Sequence, residues 1–115
     1  MEIASKKFDK KTIVFSLSGS LLADQEGAQL FQQFEQAVAE GTPNVILDLS
    51  TLRHVNSSGL GIFIRMLTRA RTQGGDVVIT GINQGVSNLF TITKLHTIFR
   101  FAPTVEEAAE LLKDK

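Results

Sequence analysis

Val45-Ile46-Leu47-Asp48-Leu49-Ser50, followed by Asn56-Ser57-Ser58-Gly59-Leu60-Gly61, is the stretch whose reading decides the fold. Val45 to Leu49 is apolar apart from one acid and opens on the β-branched pair Val45-Ile46, the pattern of a strand covered on both faces. A short polar connection follows. Asn56, Ser57 and Ser58 are residue types that accept hydrogen bonds from the free N–H groups at a helix start. Leu60, Phe63, Ile64, Leu67 and Ala70 then recur at three- and four-residue spacings, the core stripe of a helix running to about Arg71. Two hydroxyls therefore sit where unpaired N–H groups and the positive end of the helix dipole converge, a place that stabilises a negative group.

Working outward, Ile3 to Phe8 and Thr12 to Ser18 are expected to form a hairpin around Asp9-Lys10-Lys11, ended by Gly19-Ser20. Asp24 is the expected N-cap of a helix to Glu40, with Leu30, Phe31, Phe34, Ala37 and Val38 inward and Gly41 and Pro43 stopping it. Beyond the central helix, closed by Gly74-Gly75, Asp76 to Gly81 forms a short strand. Asn83 to Leu95 forms a helix with Val86, Leu89, Phe90 and Thr93 inward, and Ile98 to Phe101 a last strand. Thr104-Val105-Glu106-Glu107 is a capping box opening a helix through Leu112. A hairpin followed by βα alternation, with no repeat or linker, predicts one α/β domain over residues 1–115, built on a mixed sheet of about four to five strands with about four helices.

Composition narrows the function. Twelve Lys and Arg balance twelve Asp and Glu, so the basic excess of a nucleic-acid binder is absent. Without cysteine there are no disulfides or thiolate metal sites, and His54 and His96 have no partner histidine at ligand spacing. The N-terminus lacks an apolar signal region and no run reaches membrane-spanning length, so a soluble cytoplasmic domain is expected, with no membrane insertion. All eight aromatics are phenylalanine, which suits core packing better than base stacking.

Enzyme readings fare poorly. A Ser/His/Asp set can be assembled from Asp48, His54 and a serine, but a nucleophile elbow needs glycine two residues before and after the serine. Asn56 precedes Ser58, Val55 precedes Ser57, and only Gly59 after Ser57 fits. A phosphorelay receiver suits the length and the strand-ending Asp48, yet it gathers several carboxylates around magnesium. Here Leu17-Ser18-Gly19-Ser20 stands where the acidic pair belongs. Gly59-Leu60-Gly61 is only a fragment of a nucleotide-binding fingerprint. No catalytic residue, cofactor or metal is assigned.

The plain reading of the serine pair is that one of them caps the helix. Helical geometry adds that Ser58 falls in line with Ile62, Arg65 and Arg69, opposite the core stripe, while Ser57 leans toward Gly61 and Ile64. A hydroxyl, an isoleucine and two arginines on an outer face form an expected docking surface.

With these residues in view, the chain resembles the STAS domain family, the anti-sigma factor antagonists and their relatives, nearly end to end. The resemblance is carried by Gly19 after the early hairpin, Val45 to Ser50, Val55 to Gly61, Val77-Val78-Ile79, Leu95 to Phe99, and Thr104 to Ala108. It implies a STAS-type fold and a non-enzymatic role in which Ser58, the serine directly before the glycine, is the phosphoacceptor, with Ser57 the second candidate. By the same resemblance, a serine-kinase anti-sigma factor would use ATP to modify Ser58. The unmodified domain would hold that kinase so that a sigma factor goes free, and a phosphatase would reset it. Asn56, Ser57, Gly59, Ile62, Arg65, Arg69 and Asp24 would meet the partner. Two positions depart from the family pattern: Asn56 stands where many members have aspartate, and Ser20-Leu21-Leu22 where many have an acid. The alternative that the resemblance implies is a non-phosphorylated adaptor subunit of a transport or signalling complex.

Overall fold

A computed structural model describes residues 2–21 and 24–113, the side chain of Asp24 excepted. Five strands, β1 (Glu2–Lys7), β2 (Thr12–Leu21), β3 (Asn44–Val55), β4 (Val77–Thr80) and β5 (Arg100–Ala102), lie side by side in chain order. β1 runs antiparallel to β2, and the others are parallel, which makes the expected mixed sheet. Helices α1 (Asp24–Ala39), α2 (Ser57–Thr72) and α3 (Gln84–Ile92), with a 3-10 turn at Leu95–Thr97, make the crossovers that parallel neighbours require.

These three helices cover one face. Phe15, Leu17, Leu47, Leu49 and Ile79 from the strands share a buried cluster with Leu30 and Phe34 of α1, Phe63, Met66 and Leu67 of α2, and Val86 and Phe90 of α3. Val14, Ile46 and Val78 point the other way and are sealed by Ala108, Ala109 and Leu112 of α4 (Val105–Leu112). The apolar run Val45-Ile46-Leu47 of β3 is thus explained by cover on both faces. The capping box holds: the Thr104 hydroxyl accepts from the Glu107 amide at 3.1 Å.

Several boundaries differ from the sequence expectation, each for a packing reason. β2 does not end at Gly19-Ser20 but continues to Leu21, its register against β3 shifting between Gly19 and Ser20, with Gly19 at a φ of 87°. Glycine tolerates that left-handed backbone at a bulge. The connection expected after Ser50 is strand as well. β3 runs to Val55 because Leu52 and Val55 are buried and pair with the extended end of β2. The third helix stops at Ile92 rather than Leu95, since Lys94 turns the chain at a φ of 63°. Asp24, expected as the N-cap, is instead the first residue of α1, and its side chain, like the departure at Leu22, lies outside what the structure describes.

Because β2, β3 and β4 are parallel and each feeds a helix, the starts of α1, α2 and α3 gather at one edge of the sheet. That edge carries the serine pair.

Candidate functional site

Asn56, not a serine, caps α2. It sits in extended backbone, and its Oδ1 accepts from the Gly59 amide at 3.0 Å while its carbonyl accepts from the Leu60 amide at 3.0 Å. The amides of Ser57 and Ser58 are those that a helix start leaves open. Both serines are exposed, and neither hydroxyl makes a hydrogen bond among the described residues. The expectation that one of them caps the helix is therefore corrected: β3 ends at Val55, so the first capping residue after it takes the role. Replacing Asn56 by Ala should cost about 1 kcal/mol of stability, read as a lower urea midpoint.

Gly59, expected at the partner surface, is instead buried. A Cβ there would stand 2.5 Å from Val55 Cγ2, 2.9 Å from Leu21 Cγ and 3.0 Å from the Leu21 carbonyl oxygen. The glycine lets α2 start tight against the ends of β2 and β3, where the Asn56 amide also reaches the Leu21 carbonyl at 3.4 Å. Gly59→Ala should destabilise the domain by about 1–3 kcal/mol, since one neighbour in this contact is backbone and cannot yield cheaply.

The line Ser58, Ile62, Arg65 and Arg69 does not form a free outer face. Ile62 is half-buried, and its Cγ1 would lie 2.7 Å from a Cβ on Gly27 of α1. The Arg65 guanidinium lies 4.3 Å above the Phe31 ring, and Arg69 Nε donates to Glu35 at 2.8 Å. The pairs Gly27 with Ile62, Phe31 with Arg65 and Glu35 with Arg69 set α1 and α2 side by side in one direction. The two arginines fasten α2 to α1, whereas Ser58, at the top of this line, makes no hydrogen bond among the described residues. Gly27, the small residue that admits Ile62, is the sequence signal for this contact.

The Ser/His/Asp set is not assembled. The Asp48 carboxylate accepts from the Ser50 amide at 3.1 Å, His54 is exposed, and no hydrogen bond joins them or either serine among the described residues. Nor do three metal-ligating side chains cluster among those residues. No described helix is long and apolar enough to cross a membrane. Asn83, foreseen only as a helix start, also ties α3 to β3: its Nδ2 donates to the carbonyls of Leu52 at 3.1 Å and Arg53 at 3.3 Å, and its Oδ1 accepts from Val86 at 2.8 Å.

What this arrangement offers is a solvent-facing hydroxyl, without a hydrogen bond among the described residues, at a helix start set close against the ends of β2 and β3. It can receive a charged group without breaking an internal bond.

Comparison with known proteins follows the same line. The STAS domain model matches residues 4–108. A Thermotoga neapolitana protein named as a candidate anti-sigma factor antagonist is 29% identical over 87 residues, 74% of this chain and 77% of its own. The crystal structure of a candidate anti-sigma factor antagonist from Thermotoga maritima superposes with a TM-score of 0.87 at 20% identity, covering 96% of this chain and 94% of that one. Bacillus SpoIIAA in its phosphorylated form superposes with a TM-score of 0.75 at 19% identity, covering 95% of this chain and 97% of its own. Its unphosphorylated form gives the same score at 17% identity, over 94% of each chain. At these identities the superpositions speak for the fold.

Proposed function

The chain belongs to the STAS domain family, and from that membership we propose that it is an anti-sigma factor antagonist switched by phosphorylation of Ser58. Unmodified, it binds a serine-kinase anti-sigma factor and so frees a sigma factor. The kinase moves the γ-phosphoryl group of ATP onto Ser58 Oγ, the hydroxyl proton leaves, ADP departs, and the modified domain lets go. A phosphatase returns it to the binding form. The role is regulatory and cytoplasmic, and the domain supplies an acceptor rather than a catalytic group.

One observation carries this reading: Ser58 is exposed at the first turn of α2 and makes no hydrogen bond among the described residues, because Asn56 has taken the cap. A phosphoserine brings about −1.5 to −2 charges, and near a helix N-terminus such charge is stabilised by about 0.3–1 kcal/mol. The fold therefore tolerates the modification. Within a protein interface the same charge must be desolvated, which penalises the complex alone. That SpoIIAA has been solved in both forms, each matching this fold equally, supports a switch that works without refolding.

Incubation with the cognate anti-sigma kinase and ATP should add one phosphate, read by mass spectrometry, lost in Ser58→Ala and kept in Ser57→Ala. Failure of the wild-type chain to accept phosphate would sink the proposal and leave the adaptor reading.

A further inference from the structure

A cavity of about 480 Å³ opens at the same edge of the sheet, lined by Arg53, His54, Val55, Asn83, Val86 and Leu89. Only Asn56 and Ser57 separate Val55, in its wall, from Ser58. Arg53 is distinctive. Arg65 stacks on Phe31, Arg69 pairs with Glu35, and Arg71 and Arg100 both face the buried Asp76. The Arg53 guanidinium has neither a hydrogen bond nor an ion pair among the described residues, and the His54 ring likewise has none. Asn83 has no N–H left to donate to an occupant, since its Nδ2 already donates to the Leu52 and Arg53 carbonyls.

The cavity thus combines the half-buried Leu89, set over the buried Val55 and Val86, with an exposed and unmatched cation, Arg53, in its lining. A planar guanidinium takes a carboxylate with two parallel hydrogen bonds, and the apolar wall takes an aliphatic side chain beside it. We infer that this cavity, resting on the antagonist reading above, receives a segment of the anti-sigma factor in which an Asp or Glu is flanked by an aliphatic residue.

Two measurements test this. In the first, labelled protein is titrated with the blocked tripeptide Leu-Glu-Leu and its Leu-Gln-Leu counterpart, and amide shifts are followed by NMR. The expected result is movement at Arg53, His54, Val86 and Leu89 with the acidic peptide, several-fold weaker with the neutral one and lost in Arg53→Ala. Equal binding of the two peptides, or larger shifts at these amides with ATP or inorganic phosphate, would overturn the inference in favour of a purely apolar or a small-anion site. In the second, the cognate kinase binds Arg53→Ala about tenfold more weakly than wild type, while the melting temperature stays the same. Unchanged affinity overturns the inference. If wild type accepts no phosphate and binds no kinase, the antagonist reading fails by itself, and the peptide titration still decides what the cavity holds.

Discussion

Ser58→Asp should fold as well as wild type and lose its partner, with a melting temperature unchanged or raised by a few degrees and an affinity for the anti-sigma kinase lower by roughly 30-fold or more. The stability half follows from position. Ser58 is exposed in the first turn of α2 and makes no hydrogen bond among the described residues, so the substitution removes nothing from the fold. A carboxylate at a helix start also interacts favourably with the dipole. The binding half follows from desolvation: an unpaired charge brought into an interface costs on the order of 2–3 kcal/mol, and each 1.4 kcal/mol is tenfold in affinity. Ser58→Asn separates charge from size. Asparagine is as large as aspartate but neutral, so it should keep affinity within about threefold of wild type, because a polar group of this size can bond to the partner or retain water. Calorimetric titration of the three proteins against the kinase gives the answer. If Asp and Asn weaken binding alike, the switch is steric, and if Asp binds like serine, Ser58 lies outside the interface.

The sheet-and-helix alternation was legible because β3 and the α2 stripe carry strong periodic signals. What the sequence concealed was information held in partners. Ser50, Thr51, Arg53 and His54 look like a polar connection, yet Leu52 and Val55 have the extended end of β2 beside them and complete a strand. The local pattern of β3 contains no trace of that neighbour. The same holds for the arginine line. A helical wheel separates the side facing the sheet from the side facing away, but α2 also has a flank, and α1 lies along it. Ile62, Arg65 and Arg69 fall on that flank, so residues read as a docking face prove to be contacts within the fold. For Ser58 the sequence placed the hydroxyl at the helix start correctly. Three consecutive capping-type residues could not say which one caps. That depends on where β3 stops, and packing of Val55 fixes it at Asn56. Gly59 shows the opposite case: read as a surface residue, it is the close approach that keeps the serines in place.

Phe63→Ala should produce the largest loss of stability of the substitutions considered, and the loss should leave the switch intact in every molecule that remains folded. Phe63 is fully buried on α2, in the cluster that joins the helix to Leu47 and Leu49 of the sheet and to Phe34 of α1. Removing a buried ring forfeits its transfer from water and leaves a cavity that close-packed neighbours fill only in part, a cost of about 3–5 kcal/mol. Against the roughly 5–15 kcal/mol that holds a domain of ordinary stability, this is severe but survivable. The urea midpoint should fall by more than 1 M with little change in slope, since the surface exposed on unfolding is nearly the same. The turn around Ser58 is held by different contacts: the Asn56 cap, the approach of Gly59 to Leu21, and the Arg65 and Arg69 contacts to α1. Phosphate uptake at Ser58, measured at a urea concentration where wild type is fully folded, should therefore fall only in proportion to the folded fraction read by circular dichroism. A steeper fall would mean that the core positions the acceptor more directly than this geometry allows. A stability loss under about 1.5 kcal/mol would mean that α2 does not depend on this ring for its seat on the sheet.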